Sequence, residues 1–303
     1  MAGLDALPWR GPGPGRPEDL PLPPGKLPLR SAGTTRKQWR YVGAYCDDLM
    51  LCAARVQVGP FGQSFWAVWD RAEKKLYEST KTLMPGARGE VWSETPEGEP
   101  VFFSHEQGTV VRIEGKHPGL GEVKAKLRVG DGEWAECVCP NDAGAYVWTR
   151  KRADVEIECD LRMGANRLRV AARGMEDESA GYHPRHTVWS WSTGVGRSTD
   201  GRRIGWNLVE GVNDPAKNSE RAIWIDGEPF EPPPASFDGL DAIGFESGER
   251  LAFAAEAERA REDSKVFFKS SYRQPFGTFS GTLPGGIELE SGIGVMEHHD
   301  ALW

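Results

Sequence analysis

The sequence predicts an all-β protein of two antiparallel barrels packed together, and three observations lead there. Short runs rich in aromatic and β-branched residues recur about every 8 to 14 residues, roughly sixteen to eighteen of them in all. Turn signals such as Val58-Gly59-Pro60, Asp200-Gly201 and Asp226-Gly227 separate the runs. So many strands in one barrel would demand the outward apolar band of a membrane pore, which is missing. About eight strands each, by contrast, close two barrels just wide enough for a small ligand.

Residues 1–33 stand apart. They hold eight prolines, each of which fixes φ and lacks an N–H, so the stretch can enter neither a helix nor a sheet ladder. It is an extended arm, either free or laid over the surface through Trp9, Leu20, Leu22 and Leu27. A first barrel is expected over residues 34–176, in runs such as WRYVGAY, DLMLCAARVQV, QSFWAVWD, TVVRIEG, AYVWTRK and DVEIECDL. EVKAKLRV shows the logic. Val123, Ala125, Leu127 and Val129 fall on one face, with Lys124, Lys126 and Arg128 on the other, as in a strand with one wet side. Residues 174–181, with Asp177, Glu178 and Ser179, are the expected boundary. The second barrel takes residues 177–303, from HTVWSWS and RRIGWNLVE to IELESGIGVMEH. Residues 249–263 alone have the Ala, Glu and Arg content of a helix, although Leu251, Phe253 and Ala255 also alternate.

Composition excludes several classes of function. A formal charge of −8 argues against a surface for nucleic acid or for an anionic membrane, both of which need clustered Lys and Arg. No apolar run approaches the roughly 18 residues that span a bilayer. Asp5 stands where a signal peptide would be basic. The expectation is a cytoplasmic protein with a small-molecule partner. Cys46, Cys52, Cys137, Cys139 and Cys159 are odd in number and form no C-x-x-C pair, which points to neither a disulfide framework nor a zinc knuckle. Cys137 and Cys139 share a strand face and are expected to pack as small residues.

The segments WRYVGAY, GYHPRHTVWSWSTGVG, GWNLVEGVNDP, SERAIWIDGEP, SYRQPFGTFSGTLPGG and GVMEHHDALW resemble a bacterial family known as domain of unknown function 2804. The resemblance covers nearly everything from Trp39 on and is most specific after Gly181. That family is distantly similar to double-barrel lipocalin-like proteins, which include carotenoid 1,2-hydratase and tocopherol cyclase. The resemblance implies two lipocalin-like barrels, an apolar ligand and no cofactor. It carries over no catalytic residue, because no motif here matches the hydratase's.

The densest chemistry lies in residues 181–226. Strand alternation puts His183, Arg185, Thr187, Trp189 and Trp191 on one face and His186, Val188 and Ser190 on the other. His183 and His186 could therefore share an ion only across a bulge or from a loop. With His298 and His299 they match no standard metal-ligand spacing, so hydrogen bonding is expected of them and no metal. Trp189, Trp191, Trp206 and Trp224 can line a cavity, stack on sugar rings or fill a core. Asn207 needs several partners if it faces inward. Tyr272, Phe276 and Phe279, in a strand whose glycines permit close approach of backbone or ligand, and His298 complete the expected ligand wall. Arg185, Arg221 and Arg273 suit an anionic group. A carboxyl held in an apolar cavity has a raised pKa and can serve as a general acid. The candidates, in order, are Glu220, Glu297 and Asp214.

Three functions fit these residues: a cofactor-free hydratase, cyclase or isomerase; a carrier without chemistry; or a carbohydrate-active enzyme with tryptophan platforms and two carboxylates flanking the scissile bond.

Overall fold

A computed structural model describes residues 4–11, 15–106, 108–265 and 268–303, except for the side chain of Lys265. The first half of the chain gives β1 (Trp9–Gly11), β2 (Arg30–Ser31), β3 (Thr34–Thr35), β4 (Lys37–Tyr45), β5 (Leu49–Val58), β6 (Phe61–Asp70), β7 (Lys75–Leu83), β8 (Val91–Glu94), β9 (Pro100–Val101), β10 (Thr109–His117), β11 (Gly121–Val129), β12 (Ala135–Asn141), β13 (Ala145–Met163) and β14 (Asn166–Gly181). The second half gives β15 (His186–Ser198), β16 (Arg203–Glu210), β17 (Ala222–Ile225), β18 (Glu228–Phe230), β19 (Ala235–Asp238), β20 (Ala242–Phe245), β21 (Arg250–Lys265), β22 (Phe268–Leu283) and β23 (Ile287–Leu302). The described residues contain no helix, and none is long and apolar enough to cross a membrane.

Two large antiparallel sheets result, with β2 and β3 paired apart from them as a two-stranded sheet. The first has twelve strands, in the order β7-β6-β5-β4-β14-β13-β11-β10-β8-β9, with β12 on β13 and β1 on β12. The second has nine, in the order β18-β17-β16-β15-β23-β22-β21-β20-β19. Each sheet curls on itself. In the first, the Tyr77 ring of β7 meets His117 of β10 at 5.4 Å. In the second, the Phe237 N–H of β19 donates to Glu210 of β16 at 3.0 Å.

The inside of each curl is filled. Leu51, Trp66, Val68, Ile113, Leu127 and Ile157 pack within the first. Ile204, Trp206, Leu208, Leu251, Phe253 and Phe279 pack within the second. A third apolar layer joins the outer faces of the two sheets, where Tyr41, Met50, Phe65 and Trp69 meet Trp191, Val209, Trp224, Phe276 and Val295.

Several elements differ from the sequence reading. Residues 249–263, read as a possible helix, belong to β21. Leu251 and Phe253 are buried in the second core, and pairing from Leu251↔Gly281 to Lys265↔Phe268 satisfies the backbone. Tertiary pairing overrides helix propensity there. AYVWTRK and DVEIECDL are one 19-residue strand, β13, with a register shift between Ala153 and Val155 where Asp154 adopts φ 64°. Residues 174–181, where the boundary is expected, form the end of β14, and the loop of residues 182–185 leads from it into β15.

The acidic run in β14 survives burial because its charges are paired on both faces. Glu176 accepts from Arg40 and Arg152, and Glu178 from Arg150 at 2.7 Å. Asp177, pointing the other way, pairs with Lys151 of β13. The N-terminal arm lies on the first sheet. Trp9, Leu22 and Leu27 are buried against Val138, Tyr146, Trp148 and Tyr182. The hydroxyls of Tyr146 and Tyr182 donate to the carbonyls of Pro21 and Pro28 at 2.8 and 2.9 Å.

Candidate functional site

A cavity of about 620 Å³ opens between the two sheets, not inside either curl. Strands β4 to β7, β13 and β14 wall one side, and β15, β16 and β21 to β23 the other. Aromatic side chains dominate the lining, among them Trp39, Tyr41, Phe65, Trp189, Trp191 and Trp303.

Glu297 of β23 is a buried carboxyl in this wall. Register sets it opposite Trp191 and two residues from His299, which lies opposite Trp189 and Tyr272. Its Oε1 accepts from Trp189 Nε1 at 2.9 Å. Its Oε2 accepts from the Tyr272 hydroxyl and from Gln274 Nε2, both at 3.0 Å. Burial raises its pKa to about 7, against the opposing pull of the Trp189 and Tyr272 hydrogen bonds. A buried carboxyl of this kind exchanges a proton near neutral pH.

Glu220 sits in a different environment. One carboxylate oxygen lies 3.5 Å from Lys151 Nζ, and the other accepts from Asn213 Nδ2 at 2.9 Å. Burial raises its pKa, with Lys151 acting in the opposite direction. Lys151 also bonds Asp177, whose second oxygen accepts from Trp39 Nε1 at 3.1 Å. Burial disfavours the Lys151 ammonium, but Asp177 and Glu220 outweigh it and raise its pKa. This corner is an ion cluster held by its own internal partners.

Two histidines and an arginine complete the polar lining. His183 is fully buried beside Trp39, with ring centroids 4.8 Å apart, and neither of its ring nitrogens has a partner among the described residues. Burial, with Lys37 and Lys151 nearby, lowers its pKa to about 3, so the ring is neutral. His299 contacts Trp189 at 4.3 Å and bonds Ser270 Oγ through Nε2 at 2.7 Å. Burial likewise lowers its pKa to about 3. Arg259 of β21 lies over the rings of Phe65 and Tyr272, at 4.1 and 4.9 Å from their centroids.

His299, expected from the sequence to hydrogen-bond, lines the cavity, and six of the catalytic and ligand-wall candidates meet there too: His183, Trp189, Trp191, Glu220, Tyr272 and Glu297. The others do not line it. Trp206 and Phe279 fill the second core, with Trp206 Nε1 donating to Ser192 Oγ at 3.2 Å. Trp224 and Phe276 pack between the sheets, and Trp224 Nε1 donates to the Glu133 carbonyl at 2.8 Å. Asn207 braces its neighbours, accepting from Trp191 Nε1 at 2.7 Å and donating to the Glu220 carbonyl at 2.9 Å. Arg221 and Asp214 hold their own loop. Arg221 donates to the carbonyls of Asp214 and Pro215, and Asp214 accepts the Gly211 N–H. Arg185 and His298 are exposed, as is Arg273, which pairs with Glu258. The close approach at Gly277 is to the Ala254 carbonyl and the Phe253 ring, not to the cavity.

His186 is exposed and bonds Asp300 at 2.8 Å, away from the buried His183. Among the described residues, no three His, Cys, Asp or Glu side chains come together as a metal site. Cys137 and Cys139 are buried free thiols whose sulfurs lie 3.8 Å apart in a hydrogen bond.

Sequence reasoning missed Trp39, Tyr41, Lys151, Asp177, Arg259 and Trp303 as lining residues. Alternation in WRYVGAY does put Trp39 and Tyr41 on one face, a signal available without the fold. The acidic run of β14 was expected at the boundary between barrels, and Arg259, one of three arginines in the Ala-rich β21, gave no hint of its surroundings.

A search of curated proteins gives no match. Among solved structures, one similar to this chain is a protein of Nitrosomonas europaea assigned as an AttH. It is 11% identical with a TM-score of 0.47, over 91% of this chain and 97% of that one. Another is kievitone hydratase from Nectria haematococca, 10% identical with a TM-score of 0.48, over 88% of this chain and 89% of that one. Residues 26–303 match the family described as Domain of unknown function (DUF2804), and the chain belongs to that family.

Proposed function

We propose that the cavity between the sheets binds an apolar or amphipathic small molecule, and that Glu297 acts there as a carboxylic general acid. The reaction class is a hydration, cyclisation or isomerisation. One observation carries this reading: a protonatable carboxyl, buried in an aromatic wall, with its pKa near 7. A carboxylate offers about four lone-pair positions. Trp189, Tyr272 and Gln274 take three of those on Glu297, which leaves one for the exchangeable proton.

In a hydration, that proton passes to one carbon of an alkene and positive charge develops on its neighbour. Water adds there, and its surplus proton returns to the Glu297 carboxylate. The sum is alkene plus water giving alcohol, with the protein unchanged. The faces of Trp39, Trp189 and Trp191 supply negative quadrupole density toward a developing cation. Glu220 is a poorer acid because Lys151 and Asn213 already hold its carboxylate. The same binding disfavours a glycosidase pair, which needs two carboxylates free to act on one bond.

The test begins with mass spectrometry of small molecules that co-purify with the protein, followed by turnover assays on the compound found. Glu297→Gln is expected to lower the rate by about 10² to 10⁴ with folding intact. The wild-type rate is expected to fall as pH rises through about 7. Turnover by the glutamine variant at the wild-type rate would overturn the assignment of the acid, and no turnover of the compound found by the wild-type protein would favour a carrier.

A further inference from the structure

Arg259 is 3% exposed and lines the cavity. Its Nε donates to Glu78 Oε2 at 3.1 Å and its Nη2 to Thr80 Oγ1 at 3.3 Å. The guanidinium carbon lies 4.1 and 4.9 Å from the centroids of the Phe65 and Tyr272 rings. Its Nη1, by contrast, is buried and has no hydrogen-bond partner among the described residues. A guanidinium cannot shed its charge, and a buried N–H left unpaired is expensive. Such groups in native proteins find an acceptor. The other cation on this strand to line the cavity, Arg261, has its own carboxylate in Asp263, with contacts at 2.5 and 2.9 Å.

We propose that Arg259 is the polar anchor of the cavity, and that its ligand is an apolar molecule bearing an acceptor oxygen, a carboxylate or a carbonyl, that bonds Nη1. This rests on the reading of the cavity as a ligand site and adds the class of group its occupant must carry. It also orients the occupant. One Tyr272 ring touches both functional groups, with the guanidinium over its face and its hydroxyl on Glu297. An oxygen held at Nη1 thus brings the carbons next to it toward the acid. A saturated or purely hydrocarbon ligand would leave Nη1 unpaired and bind poorly.

Three isosteric probes decide the matter: 2-naphthoate, 2-acetylnaphthalene and 2-isopropylnaphthalene, titrated into the intact protein by calorimetry. Both oxygenated probes are expected to bind roughly 10- to 100-fold tighter than the hydrocarbon, the range for a hydrogen bond to a charged group. If 2-naphthoate alone gains, the anchored group is anionic; if the ketone gains equally, any acceptor serves. Arg259→Gln is expected to collapse the preference while 2-isopropylnaphthalene binds within about threefold of its wild-type affinity. Equal affinity of all three for the wild-type protein would overturn the anchor yet leave the cavity and Glu297 standing. Binding by none would overturn the cavity as a ligand site as well. The wild-type series needs no variant, so a misfolded Arg259→Gln would not blunt the test.

Discussion

Glu297 is a residue on which burial and hydrogen bonding act in opposite directions, and burial wins. Its folded pKa of about 7 lies above the ordinary 4.5, so the folded state binds more protons between those values. Its contribution to stability is therefore fully present below pH 4.5 and is lost as pH rises through about 7. Denaturant unfolding from pH 4.5 to 8 should show wild type losing roughly 3 kcal/mol more than Glu297→Gln. Parallel curves for the two proteins would contradict the buried acid. Lys151 makes the complementary case. Its ammonium balances the buried Asp177 and Glu220, so Lys151→Met should destabilise by about 3–5 kcal/mol, measured by urea unfolding at pH 7. Adding Asp177→Asn to that variant should restore part of the loss.

At the scale of elements, a row of glycines crosses the second sheet, with Gly194 of β15 and Gly277 of β22 each paired to Gly294 of β23. A Cβ on Gly294 would lie 2.1 Å from the Thr193 carbonyl oxygen and 2.5 Å from the Gly194 Cα. Backbone atoms cannot give way as a side chain tip can. Gly294→Ala should destabilise by about 1–3 kcal/mol, read as a lower thermal midpoint. Most strands were legible from alternation and turn chemistry, as EVKAKLRV and β11 show. The element hardest to read was β21, where an Ala- and Glu-rich composition competes with alternation and only pairing to β22 decides. The continuity of β13 across Asp154 was hidden for a related reason: a register shift keeps a strand going where local pattern suggests a break.

At the scale of the whole molecule, the arm and the cavity are separate. Trp9 and Leu22 are buried on the first sheet, and no described arm residue lines the cavity. Removing residues 1–25 should lower stability by several kcal/mol, at roughly 1.5–3 kcal/mol for each large apolar side chain exposed. Affinity for the tightest naphthalene probe should stay unchanged, as calorimetry would show. The two sheets, meanwhile, are tied by side-chain hydrogen bonds. Trp69 of β6 and Arg71 both donate to Glu256 of β21, at 2.8 and 2.7 Å. Ligand held between the sheets should therefore raise the unfolding midpoint of the whole chain as one transition.

The sequence by itself determined the all-β class, because alternation and turn chemistry are local properties of the chain, and it marked as candidates six residues that line the cavity. Only the tertiary structure decided that the cavity lies between the sheets. Trp206, Trp224, Phe276 and Phe279 have the same composition as true lining residues, and what separates them is which face of a curled sheet each occupies. Only the tertiary structure, likewise, singled out Glu297 over Glu220. Both are buried carboxylates with raised pKa. Lys151, distant in sequence, neutralises one, while the other keeps its proton against an aromatic wall.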